Sequence, residues 1–283
     1  MTERELRGRH VVITGANTGI GRVTAERLAA RGARVTVLCR SEERARDVLS
    51  AIRGAGGEVA LVSCELGELA SVHAAAGALR ARGEPIHVLV NNAGVAGQRG
   101  ETRDGFELQF GVNHLAHFAL TMGVWPLLAS AEGARIVNVS SRSHYQAKSF
   151  DWSRVRGRTR SISGLPEYAL SKLANVLFTR ETARRLGPSG VHSYSLHPGV
   201  VASDVWRRLG PLAALAKPFM LTNEQGAETT LYCACSPQVA EHDGRYYDAC
   251  RERRASRLAH DDALARELWE RSAEWAGVSA PAS

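Results

Sequence analysis

Lysine is nearly absent from this 283-residue chain: Lys148, Lys172 and Lys217 are its three lysines, and the rest of its 36 cationic side chains are arginines. A formal net charge of +7 invites a nucleic-acid partner. The arginines, however, run along the whole chain instead of forming a stripe. An Arg-for-Lys, alanine-rich genomic composition accounts for them, and no nucleic-acid partner is expected. Cysteine is also sparse. The five (Cys39, Cys64, Cys233, Cys235, Cys250) are odd in number and irregular in spacing, which excludes a disulfide framework and suits reduced thiols. Cys233 and Cys235 lack a second pair at ligand spacing, so no metal is expected. No apolar run approaches the length of a membrane span. The charged start Met1–Gly8 has no apolar h-region, so no secretory signal is expected. These absences point to a soluble, cytoplasmic protein without a membrane anchor. With 44% hydrophobic and 23% charged residues, the chain has the composition of a packed core, which excludes disorder, collagen and coiled coil.

Short β-rich runs alternate with helical patterns from end to end. The strand candidates are His10–Thr14, Arg34–Cys39, Glu58–Ser63, His87–Asn91, Arg135–Ser140, Val191–His197 and Arg245–Tyr247. Between the first five lie Gly21–Ala30, Glu42–Arg53, Leu69–Arg82 and Phe110–Leu128, with apolar residues at helical spacing. Near-continuous apolar strands joined by helical crossovers predict an α/β fold: a doubly wound parallel sheet of about seven strands, flanked by helices. Ligands then bind at the carboxyl ends of the strands. No linker or repeat divides the chain, so residues 1–283 read as one Rossmann-type domain. Two segments break the rhythm: Arg142–Pro166 and the apolar, proline-containing Val200–Thr222. Both should sit at the carboxyl edge, and the second reads as a substrate lid.

The first strand runs into Thr14-Gly15-Ala16-Asn17-Thr18-Gly19-Ile20-Gly21 and then a helix. Glycines there allow a tight turn and bring backbone N–H groups close to a pyrophosphate. After the second strand, Cys39 stands where a carboxylate would bind the ribose of NAD, and Arg40 follows. A guanidinium fork matches a phosphate, so NADP(H) is expected ahead of NAD(H). Farther on come Asn91-Asn92-Ala93-Gly94, Asn113, the serine pair Ser140-Ser141, and Tyr168-Ala169-Leu170-Ser171-Lys172. The i, i+4 spacing sets Tyr168 and Lys172 on one helical face, where an ammonium can favour proton transfer by the phenol.

Taken together, these segments resemble the short-chain dehydrogenase/reductase family, and within it the retinol-dehydrogenase-like branch. The resemblance rests on TGANTGIG (Thr14–Gly21), NNAG (Asn91–Gly94), IVNVSS (Ile136–Ser141), YALSKLANVLFTRE (Tyr168–Glu181), LHPGVV (Leu196–Val201) and LARELWERSAEWAG (Leu264–Gly277), and covers nearly the whole chain. It implies a cofactor half over about residues 1–140 and a catalytic and substrate half over about 141–283. It also implies Tyr168 as general acid/base and Lys172 as the group that lowers its pKa and binds the nicotinamide ribose. Ser141, with Ser140 as the alternative, would polarise the carbonyl, and Asn113 would hold a water linking Lys172 to solvent. The cofactor would touch Gly15, Asn17, Thr18, Gly19, Ile20, Gly21, Arg40, Glu65, Leu66, Asn92, Ala93, Gly94, Tyr168, Lys172, Pro198, Gly199, Val201 and Ser203.

Three departures from the family pattern stand out. Glu65 replaces the usual Asp beside the adenine, and Ser203 replaces a Thr. The Ser141-to-Tyr168 separation is long, with Arg154, Arg156, Arg158 and Arg160 alternating inside it; these read as a solvated charged loop. His114 and His117, three apart on one helix, read as structural. His144, Tyr145 and Trp206 are the candidate substrate contacts, in an apolar pocket suited to a lipophilic or polycyclic ketone or aldehyde. The expected activity is NADP(H)-dependent interconversion of a small-molecule carbonyl and alcohol. The alternatives are epimerisation, dehydration or cyclisation on the same scaffold, or a cofactor-binding sensor without turnover. A homodimer or homotetramer is left open.

Overall fold

The structure is a computed structural model and describes residues 5–199, 221–240 and 242–279. Its centre is a sheet in the order β3-β2-β1-β4-β5-β6-β7-β8. The first seven strands are β1 (His10–Thr14), β2 (Arg34–Cys39), β3 (Val59–Ser63), β4 (Val88–Asn91), β5 (Arg135–Val139), β6 (His192–His197) and β7 (Tyr246–Asp248). They pair in parallel. β8 (Arg251–Arg253) is antiparallel to β7 and raises the strand count to eight. It has no apolar residue, which is why hydrophobic patterning does not reveal it. The two turn residues, Ala249 and Cys250, have φ of 50° and 57°. Both are left-handed, the requirement of a tight hairpin whose twist matches its strands.

Alternation along the strands sends side chains into cores on both faces. Val11 and Ile13 of β1 and Val35, Val37 and Cys39 of β2 join one core, which is covered by α1 (Gly19–Ala30), α2 (Glu42–Gly54) and, near the sheet's far side, Leu231 and Cys233. Val12 and Leu38 point the other way, into a core with Phe110, Phe118, Leu173 and Trp269. That second face carries α3 (Leu69–Arg82), α4 (Leu108–Phe110), α5 (Ala116–Gly123), α6 (Trp125–Ala129), α7 (Leu165–Leu186) and, packed on α5 and α7, the C-terminal helix α9 (Asp262–Ala276). α8 (Asn223–Cys235) lies against α1. This is the expected doubly wound α/β domain.

The stretch expected as one helix over Phe110–Leu128 is broken. A π-helical turn, Gly111–Leu115, separates α4 from α5, and α6 starts anew with Pro126 in its first turn. Apolar residues surround this segment on all sides, so its periodicity does not register one extra residue in a turn.

The long Arg142–Pro166 connection folds into two 3-10 turns, Arg142–Gln146 and Trp152–Arg154, held by polar anchors. Buried Glu107 accepts from Thr159 Oγ1 at 2.5 Å and from the N–H groups of Gln109 and Phe110. Buried Glu167 accepts from Arg154 and from both the N–H and the hydroxyl of Ser161. Of the alternating arginines, Arg154 is thus paired. Arg156 lies 4.0 Å over the Phe106 ring and 5.3 Å from that of Trp275, Arg160 donates to Ser153, and Arg158 is exposed.

Candidate functional site

The sheet order reverses between β1 and β4, and the crevice expected at such a point opens beyond Thr14 and Asn91. Thr14 knits its two walls together. Its Oγ1 accepts from the N–H groups of Asn92 and Ala93, both at 3.0 Å, while Asn92 Nδ2 donates to Thr14 O at 2.8 Å. Side chains are excluded from this junction. Gly15 has φ +67°, and a Cβ there would lie 2.9 Å from Ala93 Cα; a Cβ on Gly21 would lie 2.4 Å from Asn92 Nδ2. Thr18, the residue before α1, makes no side-chain cap, and the first turn of α1 has no acidic residue. Its leading N–H groups therefore face the crevice without a carboxylate, as a pyrophosphate requires. Asn17, Gly19 and Ile20 are half-buried along this turn, and Thr18 is exposed.

Arg40 is exposed at the end of β2, with its Nε 3.7 Å from Glu65 Oε2. Glu65 also accepts from Gly67 N–H, and Leu66 packs on the core. Ser63 Oγ donates to Arg40 O, and Ser41 caps α2. On the far wall Gly94 lies against Asn113 and Lys172: a Cβ on it would be 3.2 Å from Asn113 Oδ1 and 3.4 Å from Lys172 Nζ. Pro198 and Gly199 follow β6, Gly199 with φ +89°. Val201, Ser203 and Trp206, with most of the segment expected as a lid, lie outside the described residues.

α7 carries both Tyr168 and Lys172. Ser140 and Ser141 both lie at the end of β5, and their hydroxyls have separate uses. Ser140 Oγ donates to Lys172 O at 2.7 Å, which commits it to the helix backbone. Ser141 Oγ accepts from Ser143 N–H at 3.1 Å and lies 3.2 Å from Ser143 Oγ, so it is not committed to the α7 backbone, and it acts on the Tyr168 phenol as a neighbouring hydroxyl that lowers its pKa. Lys172 is 4% exposed; its Nζ donates to Val139 O at 2.8 Å and lies 5.7 Å from the Tyr168 ring centroid.

Burial dominates the electrostatics of this pair. It lowers the Lys172 ammonium to about 7 and raises the Tyr168 phenol, the Ser141 hydrogen bond opposing the rise. In this cofactor-free geometry the phenol is held protonated, contrary to the lowering expected from the spacing to Lys172. Desolvation by burial is the largest cause of both shifts.

Asn113 sits in the π-helical turn, fully buried. Its Oδ1 accepts from Val95 N–H at 2.8 Å, and its Nδ2 donates to Val95 O and Ser171 Oγ, both at 2.9 Å. The side chain thus ties the β4 exit to α7. His117 Nδ1 donates to Asn113 O, and its Nε2 lies 2.9 Å from Thr14 Oγ1; His114 Nε2 meets Ser272 Oγ. Each histidine is tied to its own protein partners.

The expectation that His144 borders the substrate pocket needs correction. Its ring is fully buried, with Nδ1 on Ser141 O at 2.6 Å and Nε2 accepting from Ser256 N–H at 3.1 Å. Neither nitrogen is left for a ligand. Tyr145 keeps an exposed face, but its hydroxyl donates to Arg254 O at 2.6 Å. The sequence reading missed Asp248, whose carboxylate accepts from Arg142 Nε at 2.6 Å. A single acidic residue at a strand end gives no pattern to find. A cavity of about 710 Å³ between α1 and α2 opens at the opposite edge of the sheet near Arg34 and Gly57, away from all of these groups.

Comparison with known proteins converges on the same elements. A family model described as short chain dehydrogenase matches residues 9–212. The chain is 40% identical over 283 residues to Retinol dehydrogenase 12 of Homo sapiens, covering 98% of this chain and 89% of that protein. It is 40% identical to Retinol dehydrogenase 14 of Mus musculus, covering 96% and 87%. Among solved structures, an uncharacterised protein from Mycobacterium paratuberculosis superposes with a TM-score of 0.81 at 32% identity, over 98% of this chain and 97% of that one. A short chain dehydrogenase from Burkholderia cenocepacia, in complex with NADP, gives 0.69 at 26% identity, over 87% and 97%. Near-complete coverage at this identity leaves no separate region unaccounted for, and the chain belongs to the short-chain dehydrogenase family, in its retinol-dehydrogenase-like branch.

Proposed function

We propose that this protein is an NADP(H)-dependent oxidoreductase that interconverts a lipophilic carbonyl compound and its alcohol. The observation that carries the reading is the convergence of three groups: Tyr168 and Lys172 on α7, with Lys172 Nζ 5.7 Å from the phenol ring, and Ser141 at the end of β5, whose hydroxyl opposes the rise in the Tyr168 pKa. The glycine-lined junction and the uncapped start of α1 fit a dinucleotide, because a pyrophosphate needs backbone N–H donors and no side chain in its way. Arg40 would take the 2′-phosphate, and Glu65 beside it holds the guanidinium near that position until the phosphate arrives. Bound there, the nicotinamide supplies or accepts the hydride.

The chain's own residues handle the proton. In reduction Tyr168 gives its phenol proton to the oxygen of the substrate, and Ser141 donates a hydrogen bond to that same oxygen. Lys172, close to the ring, stabilises the phenolate that results. In oxidation the phenol must first be deprotonated, so the raised Tyr168 pKa shifts the oxidative direction towards alkaline pH. The lipophilic preference is supported by the names of the relatives, which are retinol dehydrogenases.

A panel of carbonyls and alcohols with NADPH and NADH, followed by nicotinamide absorbance, tests the reading. Tyr168→Phe should lower turnover by about a hundred- to ten-thousand-fold and leave NADPH binding near wild type. Near-full rate in that variant would remove Tyr168 from the chemistry.

A further inference from the structure

The 3-10 turn that follows Ser141 is tied to the C-terminal hairpin and the segment after it at three points. Arg142 Nε donates to Asp248, Tyr145 Oη donates to Arg254 O, and between them His144 Nε2 accepts from Ser256 N–H. The middle tie reaches the serine itself. Ser141 O accepts from the His144 main-chain N–H at 3.1 Å and from the ring Nδ1 at 2.6 Å. A carbonyl oxygen only accepts and a peptide N–H only donates, so the ring serves both partners only when neutral, with its proton on Nδ1. It lies 4.0 Å from the Tyr145 ring and 4.7 Å, edge-on, from that of Tyr246, centroid to centroid. So enclosed, the ring has no other rotamer to adopt without opening a void.

We propose that His144 is a positioning residue that clamps the Ser141 peptide to the segment after β8 and thereby holds the Ser141 hydroxyl against Tyr168. The proposal rests on the reading of Ser141 and Tyr168 as the proton-handling pair. Burial favours the neutral ring and keeps its pKa below the usual imidazole range. The hairpin is suited to anchor the clamp, since the Ala249–Cys250 turn is fixed by its left-handed backbone and Cys250 N–H donates to Thr229 Oγ1. The segment after β8 thus reaches the Ser141 peptide through one imidazole.

The test is a double-substitution cycle on the full chain, read as kcat for carbonyl reduction and as NADPH Kd. His144→Phe keeps the ring and removes both nitrogens; it should lower kcat by about ten- to a hundred-fold with Kd unchanged. In a Ser141→Ala background the same change should cost less than about two-fold, because a residue acting through Ser141 has nothing left to position. Equal losses in the two backgrounds, or no loss with Ser141 intact, overturn the clamp. If the Phe variant does not fold, His144→Asn and His144→Gln carry the test. Asn keeps a donor where Nδ1 stood and should retain more rate than Gln, and the reverse order overturns the proposal. Should wild type turn over no carbonyl or alcohol with either cofactor, the proposed function fails by itself. The clamp is then read from the ¹⁵N resonances of the His144 ring. A protonated Nδ1 with a bare Nε2 at neutral pH upholds it, and an imidazolium or the other tautomer overturns it.

Discussion

Replacing Lys172 by Met separates what the ammonium does for chemistry from what it costs the fold. Lys172 is almost fully buried, its Nζ donates to the Val139 carbonyl, and burial alone takes its pKa from 10.5 to about 7. At about 1.4 kcal/mol per pKa unit, the charged form costs the folded state on the order of 4–5 kcal/mol relative to the unfolded chain. Because the folded pKa is the lower one, that penalty is complete below pH 7, shrinks as pH rises, and is gone above 10.5. Met keeps the aliphatic stem and loses the hydrogen bond to Val139, worth about 1 kcal/mol. The cofactor-free variant should therefore be more stable than wild type by about 2–4 kcal/mol near pH 6 and level with it, or slightly less stable, near pH 10. Its turnover should be lost. Guanidinium unfolding followed by circular dichroism across that pH range measures the gap. A variant less stable than wild type at pH 6, or a gap that does not change with pH, would refute the argument.

Three further outcomes are expected. Arg40→Asp should weaken NADPH far more than NADH, by about ten-fold or more in the ratio of dissociation constants, since it swaps a phosphate ligand for a repelling carboxylate; titration with both cofactors checks it. Gly21→Ala would put a Cβ 2.4 Å from Asn92 Nδ2 and from Gly15 O, and should reduce cofactor binding at least ten-fold or so while lowering the unfolding midpoint. Glu107→Ala strands two buried N–H groups and removes the Thr159 tie to Glu107, and should destabilise the protein by about 2–3 kcal/mol in denaturant titration, with the Arg142–Pro166 connection the first region to lose hydrogen-exchange protection.

Much of the fold was legible because its signals are local. β1, β2 and α3 begin and end where alternation and helical spacing place them, and the other five expected strands shift by a residue or so. The glycines and the Tyr168–Lys172 pair were legible too, since each sits at a fixed spacing inside one element. What stayed hidden depends on contacts between distant residues. The use of the Ser140 hydroxyl is set by Lys172 O, 32 positions away. The burial of His144 is decided by Tyr246 and by Ser256, 112 positions away. The long connection looked like a charged loop because its anchors, Glu107 and Glu167, lie outside the run of arginines. The sign of the Tyr168 shift was hidden for a related reason: spacing gives the distance between two groups but says nothing of how dry their surroundings are.

The Arg-Glu-Arg edge strand has a consequence for symmetry. Two copies of β8 (Arg251–Arg253) related by a two-fold axis normal to the sheet must place one residue opposite its own copy. Centring on Arg251 or Arg253 sets arginine against arginine. Centring on Glu252 sets glutamate against glutamate and leaves Arg251 facing Arg253. All three strand residues are exposed, so no register escapes a like-charge pair, which is unfavourable directly across a ladder. The edge nearest the C-terminus thus resists extending the sheet into a second copy about such an axis.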